Sequence, residues 1–203
     1  MIYIFFTIPF LGIITALLGA IIEQALAVFV GILWQKELVF NFYNNLSLFL
    51  IASAAIEEIL KYSAIYFILK GKFFLRGLRL VLASLLLGLF WGITEVILIA
   101  YSQPQYATGI LNFKSDDFLS AVFVMLLHAL TAFTMGVIIS TAIFSRYLFS
   151  IRVILLTIFI HLLFNFLIIQ QGNFTNILVE VIFGIVFAVD LIILAANFKA
   201  FRQ

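Results

Sequence analysis

Six ionisable side chains lie inside apolar stretches of this chain that are long enough to cross a membrane. They are Glu57, Glu58, Lys61, Glu95, His128 and His161. A charged side chain at the centre of a bilayer costs about 2.5–3.5 kcal/mol even on lenient insertion scales. Several such groups facing lipid would cancel a typical folding free energy of about 5–15 kcal/mol. We therefore expect them to face one another inside a helical bundle, where carboxylates and histidines support acid–base chemistry or metal binding.

The spacing within two of these stretches brings polar groups together. Lys61 follows Glu58 by three positions and Glu57 by four, so on a helix it can reach either carboxylate. His161 and Asn165 lie four positions apart and share one helix face. Two adjacent carboxylates beside a lysine form a suitable base for activating water. A structural ion cluster that pins helices together is the alternative interpretation of the same residues.

The composition restricts the class of protein. The chain has 203 residues, of which 66% are hydrophobic and 10% are charged, and it contains no cysteine. Soluble domains are far less apolar, so we predict a single integral-membrane domain over 1–203 with a polar-motif core at 46–170. The lack of cysteine excludes disulfides and thiolate catalysis. A net charge of +2 without a basic patch gives no indication of a nucleic-acid partner.

The predicted fold class is all-α, a polytopic transmembrane helical bundle. A span requires about 20 mainly apolar residues. Six stretches satisfy this requirement: 2–22, 46–69, 78–101, 119–144, 151–169 and 177–197. The stretch 24–34 is apolar but short, and it could extend the first helix, re-enter the bilayer or belong to a further span. Seven or eight spans are therefore the alternative to six.

The basic residues between the spans predict an orientation. With both termini inside, eight fall on the cytoplasmic side: Lys70, Lys72, Arg76, Arg79, Arg146, Arg152, Lys199 and Arg202. Only Lys36 and Lys114 fall outside. Because cytoplasmic loops are enriched in lysine and arginine, the bias favours an N-in, C-in topology. The motif residues then lie at or beyond the midplane, and we expect water to reach them from the outer side, past the loop 102–117.

Four polar motifs occur in order along the chain: Glu57-Glu58-Ile59-Leu60-Lys61, Trp91-Gly92-Ile93-Thr94-Glu95, His128-Ala129-Leu130 with Gly136 following, and His161-Leu162-Leu163-Phe164-Asn165. Together they resemble the PrsW family of intramembrane proteases. The family belongs to the superfamily of CAAX-processing and bacteriocin-processing enzymes. Lys61 replaces the more distant arginine of the prenyl proteases and Glu95 replaces their histidine, which favours the PrsW branch.

The resemblance implies an intramembrane endopeptidase in the cell membrane of a prokaryote. Its substrate would be a membrane-anchored protein cut in or near its transmembrane segment, as in site-1 cleavage of an anti-sigma factor. One of Glu57 and Glu58 would be the general base, while Glu95 and His128 would position the water. His161 and Asn165 would then donate hydrogen bonds to the oxyanion. Lys61 is the charge partner of the two adjacent glutamates.

Three alternatives remain open from the residues. A zinc ion could be held by Glu58, Glu95, His128 and His161, although no HExxH motif is present, and we favour the metal-free mechanism without a cofactor. A proton- or ion-coupled transporter also uses glutamate and histidine chains. A non-catalytic membrane scaffold on the same fold is the third alternative, and the presence of both glutamates disfavours it.

Overall fold

The protein folds into a bundle of helices. The computed structural model describes residues 2–34, 48–73, 75–112, 115–141, 146–170 and 173–197, and these contain no strand. The helices are α1 (Ile2–Trp34), α2 (Leu48–Ser63), α3 (Gly77–Ser102), α4 (Pro104–Leu111), α5 (Ser115–Thr141), α6 (Arg146–Gln170) and α7 (Asn173–Ala196). A π-helical segment, Ala64–Lys72, continues directly from α2. The all-α prediction is therefore confirmed.

Each predicted span corresponds to a helix, with two differences in extent. The apolar stretch 24–34 continues the first helix, so α1 runs for 33 residues without interruption. The loop 102–117 contains the short helix α4, which begins at Pro104, a residue well suited to a first helical turn. The charges Lys36, Lys114, Lys199 and Arg202 lie outside the described residues.

Five of these helices are long and apolar enough to cross a membrane: α1, α3, α5, α6 and α7. The remaining predicted span, 46–69, corresponds to α2 with its π-helical continuation, and it carries three charged residues near its middle. Large apolar side chains are exposed along the outer helices, including Phe6 and Phe10 on α1 and Ile185 and Ile192 on α7. Exposed apolar surface of this extent is typical of a multi-pass membrane protein, because the lipid covers it.

Glycines set the distance between α3 and α5, which pack together most extensively. A Cβ at Gly88 would overlap the backbone carbonyl of His128, and one at Gly92 would lie 2.7 Å from Met125 Cα. On the opposite side of the interface, a Cβ at Gly136 would lie 2.7 Å from Ser84 Oγ. This close approach holds the backbone of His128 directly against α3 at Gly88, about two helical turns before Glu95.

Polar contacts tie the other helices to this pair. Lys70 Nζ donates to the backbone carbonyl of Ile139 at 3.5 Å, which joins the end of the π-helical segment to the end of α5. Thr134 Oγ1 donates to Asp190 Oδ2 at 2.6 Å, and this buried contact connects α5 to α7. An aspartate inside a membrane helix thus has a structural partner.

Candidate active site

The site is built outward from α2, whose central turn carries a fully buried ion pair. Lys61 Nζ lies 2.5 Å from Glu58 Oε1, and both side chains have no exposed surface. Lys61 also donates to Thr131 Oγ1 at 3.2 Å, and its ammonium group lies 5.3 Å from the centre of the Trp91 ring. These contacts compensate the cost of burying the ammonium group. They also fix the position of Glu58.

Glu58 in turn orients His161 from α6. The Nδ1 atom of His161 lies 2.8 Å from the same oxygen, Oε1, that accepts from Lys61. Since an ionised carboxylate only accepts hydrogen bonds, this contact assigns the ring proton to Nδ1. The other ring nitrogen, Nε2, points away from Glu58. A carboxylate that accepts a hydrogen bond from one ring nitrogen of a histidine fixes the tautomer and the orientation of the ring. The other nitrogen is then held in place to bind a ligand or to exchange a proton.

A second carboxylate–histidine pair lies beside the first. The Nε2 atom of His128, on α5, is in direct contact with Glu95 Oε2, on α3. The opposite nitrogen, Nδ1, faces Glu57 Oε2 at 3.7 Å, and neither atom has a hydrogen-bond partner among the described residues. The two histidine rings meet edge to face with their centres 5.3 Å apart. Four helices therefore bring five of the predicted residues into one cluster.

Three groups of this cluster bring possible ligand atoms close together. One ligand atom each from Glu57, His128 and His161 lie within 4.8 Å of one another. Any such triangle contains a point no more than about 2.8 Å from all three atoms, which is hydrogen-bonding distance for a water molecule. A zinc ion needs distances of about 2.0–2.2 Å to histidine nitrogen and carboxylate oxygen, so modest contraction would suit a metal. The same three side chains can thus hold water or a divalent ion.

The possible metal ligands differ from the predicted zinc set. The prediction uses Glu58 and Glu95 together with the two histidines. In the structure each of those carboxylates contacts a histidine nitrogen instead, and Glu57 completes the triangle. Histidine ligands with a carboxylate on the second nitrogen are a common arrangement around protein-bound zinc. One carboxylate and two histidines therefore form a suitable set of ligands for zinc.

The burial of the cluster is uneven. Glu58, His128 and His161 are almost completely enclosed. The Glu95 side chain, by contrast, is 31% exposed, and Glu57 is 10% exposed. The cluster is therefore sealed on the α6 side and accessible at the edge formed by α3. Water and a substrate need such an opening.

Asn165 stands apart from the other predicted residues. It lies one turn beyond His161 on α6 and is half-buried. Of the described residues, none forms a hydrogen bond with its side chain. Its assignment to an oxyanion site stays a prediction.

One carboxylate of the site was not anticipated from the sequence. Glu23 of α1 lies near Ser53 and Glu57, at the α1–α2 edge of the cluster. Ending the first span at residue 22 placed Glu23 just outside the membrane and concealed it. The sequence does contain a signal for Glu23. It lies in an apolar run that continues to Trp34, and an isolated carboxylate in such a run is costly in lipid.

Comparisons with protein-family models, with curated proteins and with solved structures give no match for this chain. The resemblance to the PrsW family therefore stays an expectation carried by the four motifs.

Proposed function

We propose that this protein is an intramembrane endopeptidase that resembles the PrsW family. The observation that carries the proposal is the triangle of Glu57, His128 and His161, in which both histidines are oriented by further carboxylates. A base and polarising groups within reach of one water molecule are what hydrolysis of an amide requires. A purely structural ion cluster would not need an unpartnered carboxylate oxygen and imidazole nitrogen facing each other.

Glu57 is the general base in this proposal. Among the described residues, Glu57 Oε2 and Glu58 Oε2 both lack a hydrogen-bond partner, but Glu58 already accepts from Lys61 and His161 through Oε1, whereas Glu57 Oε2 faces His128. Glu57 takes a proton from the water as the water oxygen bonds to the carbonyl carbon. The C–N bond then breaks, and the leaving nitrogen receives that proton. The products are a carboxylic acid and an amine, so the atoms of water are fully accounted for.

The two histidines have complementary roles. His128 holds the water through Nδ1, because Glu95 engages its Nε2. His161 presents Nε2 to the oxyanion, and Glu58 stabilises the imidazolium form that donates to it. Asn165 is the second predicted donor and would have to reach the oxyanion when substrate binds. These assignments follow a general rule of catalysis: hydrogen-bond donors stabilise an oxyanion best when they are already in position before the negative charge develops.

A zinc-dependent version uses the same three residues. Glu57, His128 and His161 would hold the ion, which would supply Lewis-acid polarisation and a more acidic water. Glu58 and Glu95 would then keep the histidines oriented. We place the metal-free version first because Glu57 is then available as the base.

The proposed substrate is a membrane-anchored protein or peptide. The exposed edge at Glu95 lies seven residues before the end of α3, or about 10 Å at the helical rise. With N-in, C-in topology in the cell membrane of a prokaryote, this edge faces the outer half of the bilayer. The cut would then fall near the outer end of the substrate's own helix, as in site-1 cleavage of an anti-sigma factor.

The test is cleavage by the purified protein in liposomes. A panel of single-span peptides would be co-reconstituted with the wild type, with Glu57→Gln and with Glu180→Gln, an exposed carboxylate on α7 that serves as the matched control. We expect Glu57→Gln to lower cleavage about 10²–10⁴-fold, the usual loss for a general base, and Glu180→Gln to cleave normally. Adding a chelator separates the two versions, since only the zinc-dependent one loses activity.

The contrary outcomes are distinct. Equal cleavage by the wild type and Glu57→Gln would overturn the protease proposal. Solute flux that depends on a proton gradient and on Glu57, without cleavage, would favour the transporter. Neither cleavage nor flux from well-folded protein across the panel would favour the scaffold.

A further inference from the structure

Lys61 has two carboxylates within reach on its own helix, and it pairs with Glu58. Glu57 lies four positions before Lys61 and Glu58 three, and both spacings bring side chains of an α-helix together. Lys61 Nζ lies 2.5 Å from Glu58 Oε1, whereas no ion pair joins Lys61 to Glu57 in the described part of the chain. Glutamate four positions before lysine is a favourable helical ion pair, so α2 alone does not explain this choice.

A contact with α5 distinguishes the two sides of α2, because Thr131 lies beside the lysine. Lys61 Nζ donates a hydrogen bond to Thr131 Oγ1 at 3.2 Å, and Thr131 Oγ1 donates in turn to the His128 carbonyl at 3.3 Å. Since the single hydroxyl proton is directed to that carbonyl, the oxygen is left to accept from the ammonium group. Lys61, Glu58 and Thr131 have no exposed surface, so bulk water does not compete for this bond.

The Thr131 hydroxyl is itself held in place by the packing of α3 against α5. Threonine in a helix has few side-chain rotamers, and the bond to the His128 carbonyl selects one of them. That carbonyl lies against Gly88, where a Cβ would overlap it. The contacts therefore run from α3 through the His128 backbone to Thr131, and from there to Lys61 on α2. A hydroxyl outside α2 thus sets the position of the ammonium group.

Removing the hydroxyl would leave one N–H of the Lys61 ammonium group without its acceptor. Lysine has three such donors, and an unsatisfied buried donor is costly. Glu57 Oε2 and Glu58 Oε2 both lack a hydrogen-bond partner among the described residues. A shift of the ammonium group towards Glu57 would satisfy the donor. It would also place a positive charge on the carboxylate that faces His128.

We propose that Thr131 is a positioning residue of the site: its hydroxyl oxygen holds the Lys61 ammonium group on the Glu58 side of α2 and leaves the Glu57 carboxylate free to face His128. Thr131 thereby selects between two adjacent carboxylates, one for the ion pair and one for the reaction. It contacts neither the water nor the substrate and acts only through Lys61. Its effect on activity rests on the proposed hydrolytic function.

The kinetic test exchanges the hydroxyl while keeping the shape of the side chain. Thr131→Val lacks the oxygen, whereas Thr131→Ser keeps it. We expect Thr131→Val to lower kcat about 10–100-fold with little change in KM, which corresponds to loss of one hydrogen bond to a charged group. Thr131→Ser should retain most of the activity.

Thr157→Val is the matched control. Thr157 is equally buried on α6, and its hydroxyl bonds to the carbonyls of Val153 and Ile154 on its own helix. The same loss of a buried hydroxyl therefore occurs without a change at the lysine. We expect Thr157→Val to cleave at the wild-type rate.

A thermodynamic test is independent of any activity. Double-mutant cycles in reversible unfolding measure the coupling of Lys61→Met with Glu58→Gln and with Glu57→Gln. With Thr131 present, we expect the coupling to Glu58 to change the unfolding equilibrium about tenfold or more, and the coupling to Glu57 to be smaller. In the Thr131→Val background, the coupling to Glu57 should become the larger of the two. Thr131→Ser and Thr157→Val should keep the original order.

The outcomes separate this inference from the proposed function. An unchanged order of couplings in Thr131→Val, or full activity of that variant, would overturn the selection even if peptides are cleaved. If Thr131→Val does not fold, Thr131→Ala replaces it in both tests. Failure of both variants to fold, while Thr157→Val folds, would show a purely structural role and overturn the inference. A wild type that cleaves nothing but shows the change of coupling would refute the protease and leave the role of Thr131 in place.

Discussion

Replacing Lys61 by methionine should strongly destabilise the fold, because the change leaves the Glu58 carboxylate buried without its cationic partner. Lys61 Nζ lies 2.5 Å from Glu58 Oε1, and neither side chain is exposed. After the substitution, the Nδ1 group of His161, at 2.8 Å, is the remaining donor to that oxygen among the described residues. Methionine keeps most of the lysine stem volume, so a cavity contributes little.

The expected cost follows from the burial of the pair. Breaking a buried ion pair by removing one partner typically costs about 3–5 kcal/mol. Since His161 still donates to Glu58, we expect the lower end, about 3 kcal/mol, which is more than a hundredfold in the unfolding equilibrium. The double variant Lys61→Met/Glu58→Gln should be more stable than the sum of the two single changes predicts, because no unpaired charge then remains.

The assay is reversible unfolding in mixed lipid–detergent micelles, followed by loss of helical circular dichroism. Lys72→Met, which removes an exposed lysine at the end of the π-helical segment, is the matched control and should have little effect. The reasoning fails if Lys61→Met is as mild as the control. It also fails if the effects of Lys61→Met and Glu58→Gln simply add in the double-mutant cycle.

Three further predictions concern packing, the oxyanion site and access. Gly88→Ala should cost about 1–3 kcal/mol by forcing α3 from α5, whereas Gly184→Ala, where a Cβ has no neighbour within 4 Å, should be harmless in the same unfolding assay. His161→Ala and Asn165→Ala should each lower cleavage about 10²–10³-fold, and the double variant should lose clearly less than their product; multiplicative losses would mean that they serve different oxygens. A single cysteine introduced by Ser53→Cys should react with a membrane-impermeant reagent faster from the outer side than from the cytoplasmic side, and the opposite preference would refute outer access.

The carboxylates and histidines that meet in the cluster could be predicted from the sequence because lipid gives them no other stable location. Glu57, Glu58, Glu95, His128 and His161 are too costly to expose within a bilayer, and they occur at similar depths in four helices. The helix-forming stretches were equally predictable, since a chain in lipid must satisfy its backbone hydrogen bonds internally. Lys61 was correctly paired with a neighbouring carboxylate, because helical spacing alone brings them together.

Only the tertiary structure determines which of the polar groups pair with each other. Local spacing allows Lys61 to reach either Glu57 or Glu58, and only the packing of α2 against α5 and α6 pairs it with Glu58, alongside His161. That choice leaves Glu57 to face His128. Which histidine nitrogen meets which carboxylate likewise depends on how four helices are rotated about their axes.

Helix rotation and long-range contact also explain what the sequence concealed. Glu23 belongs to an apolar run with no motif around it, and its place near the cluster depends on the packing of α1 beside α2, at least thirty residues further along the chain. The small residues of α1 and the glycines of α3 permit close approach, but their sequence positions do not say which helix approaches. The sequence thus determined which groups must avoid lipid, because solvation depends on residue type and depth alone. The tertiary structure determined which of those groups meet, because pairing depends on helix order and rotation, which no local pattern encodes.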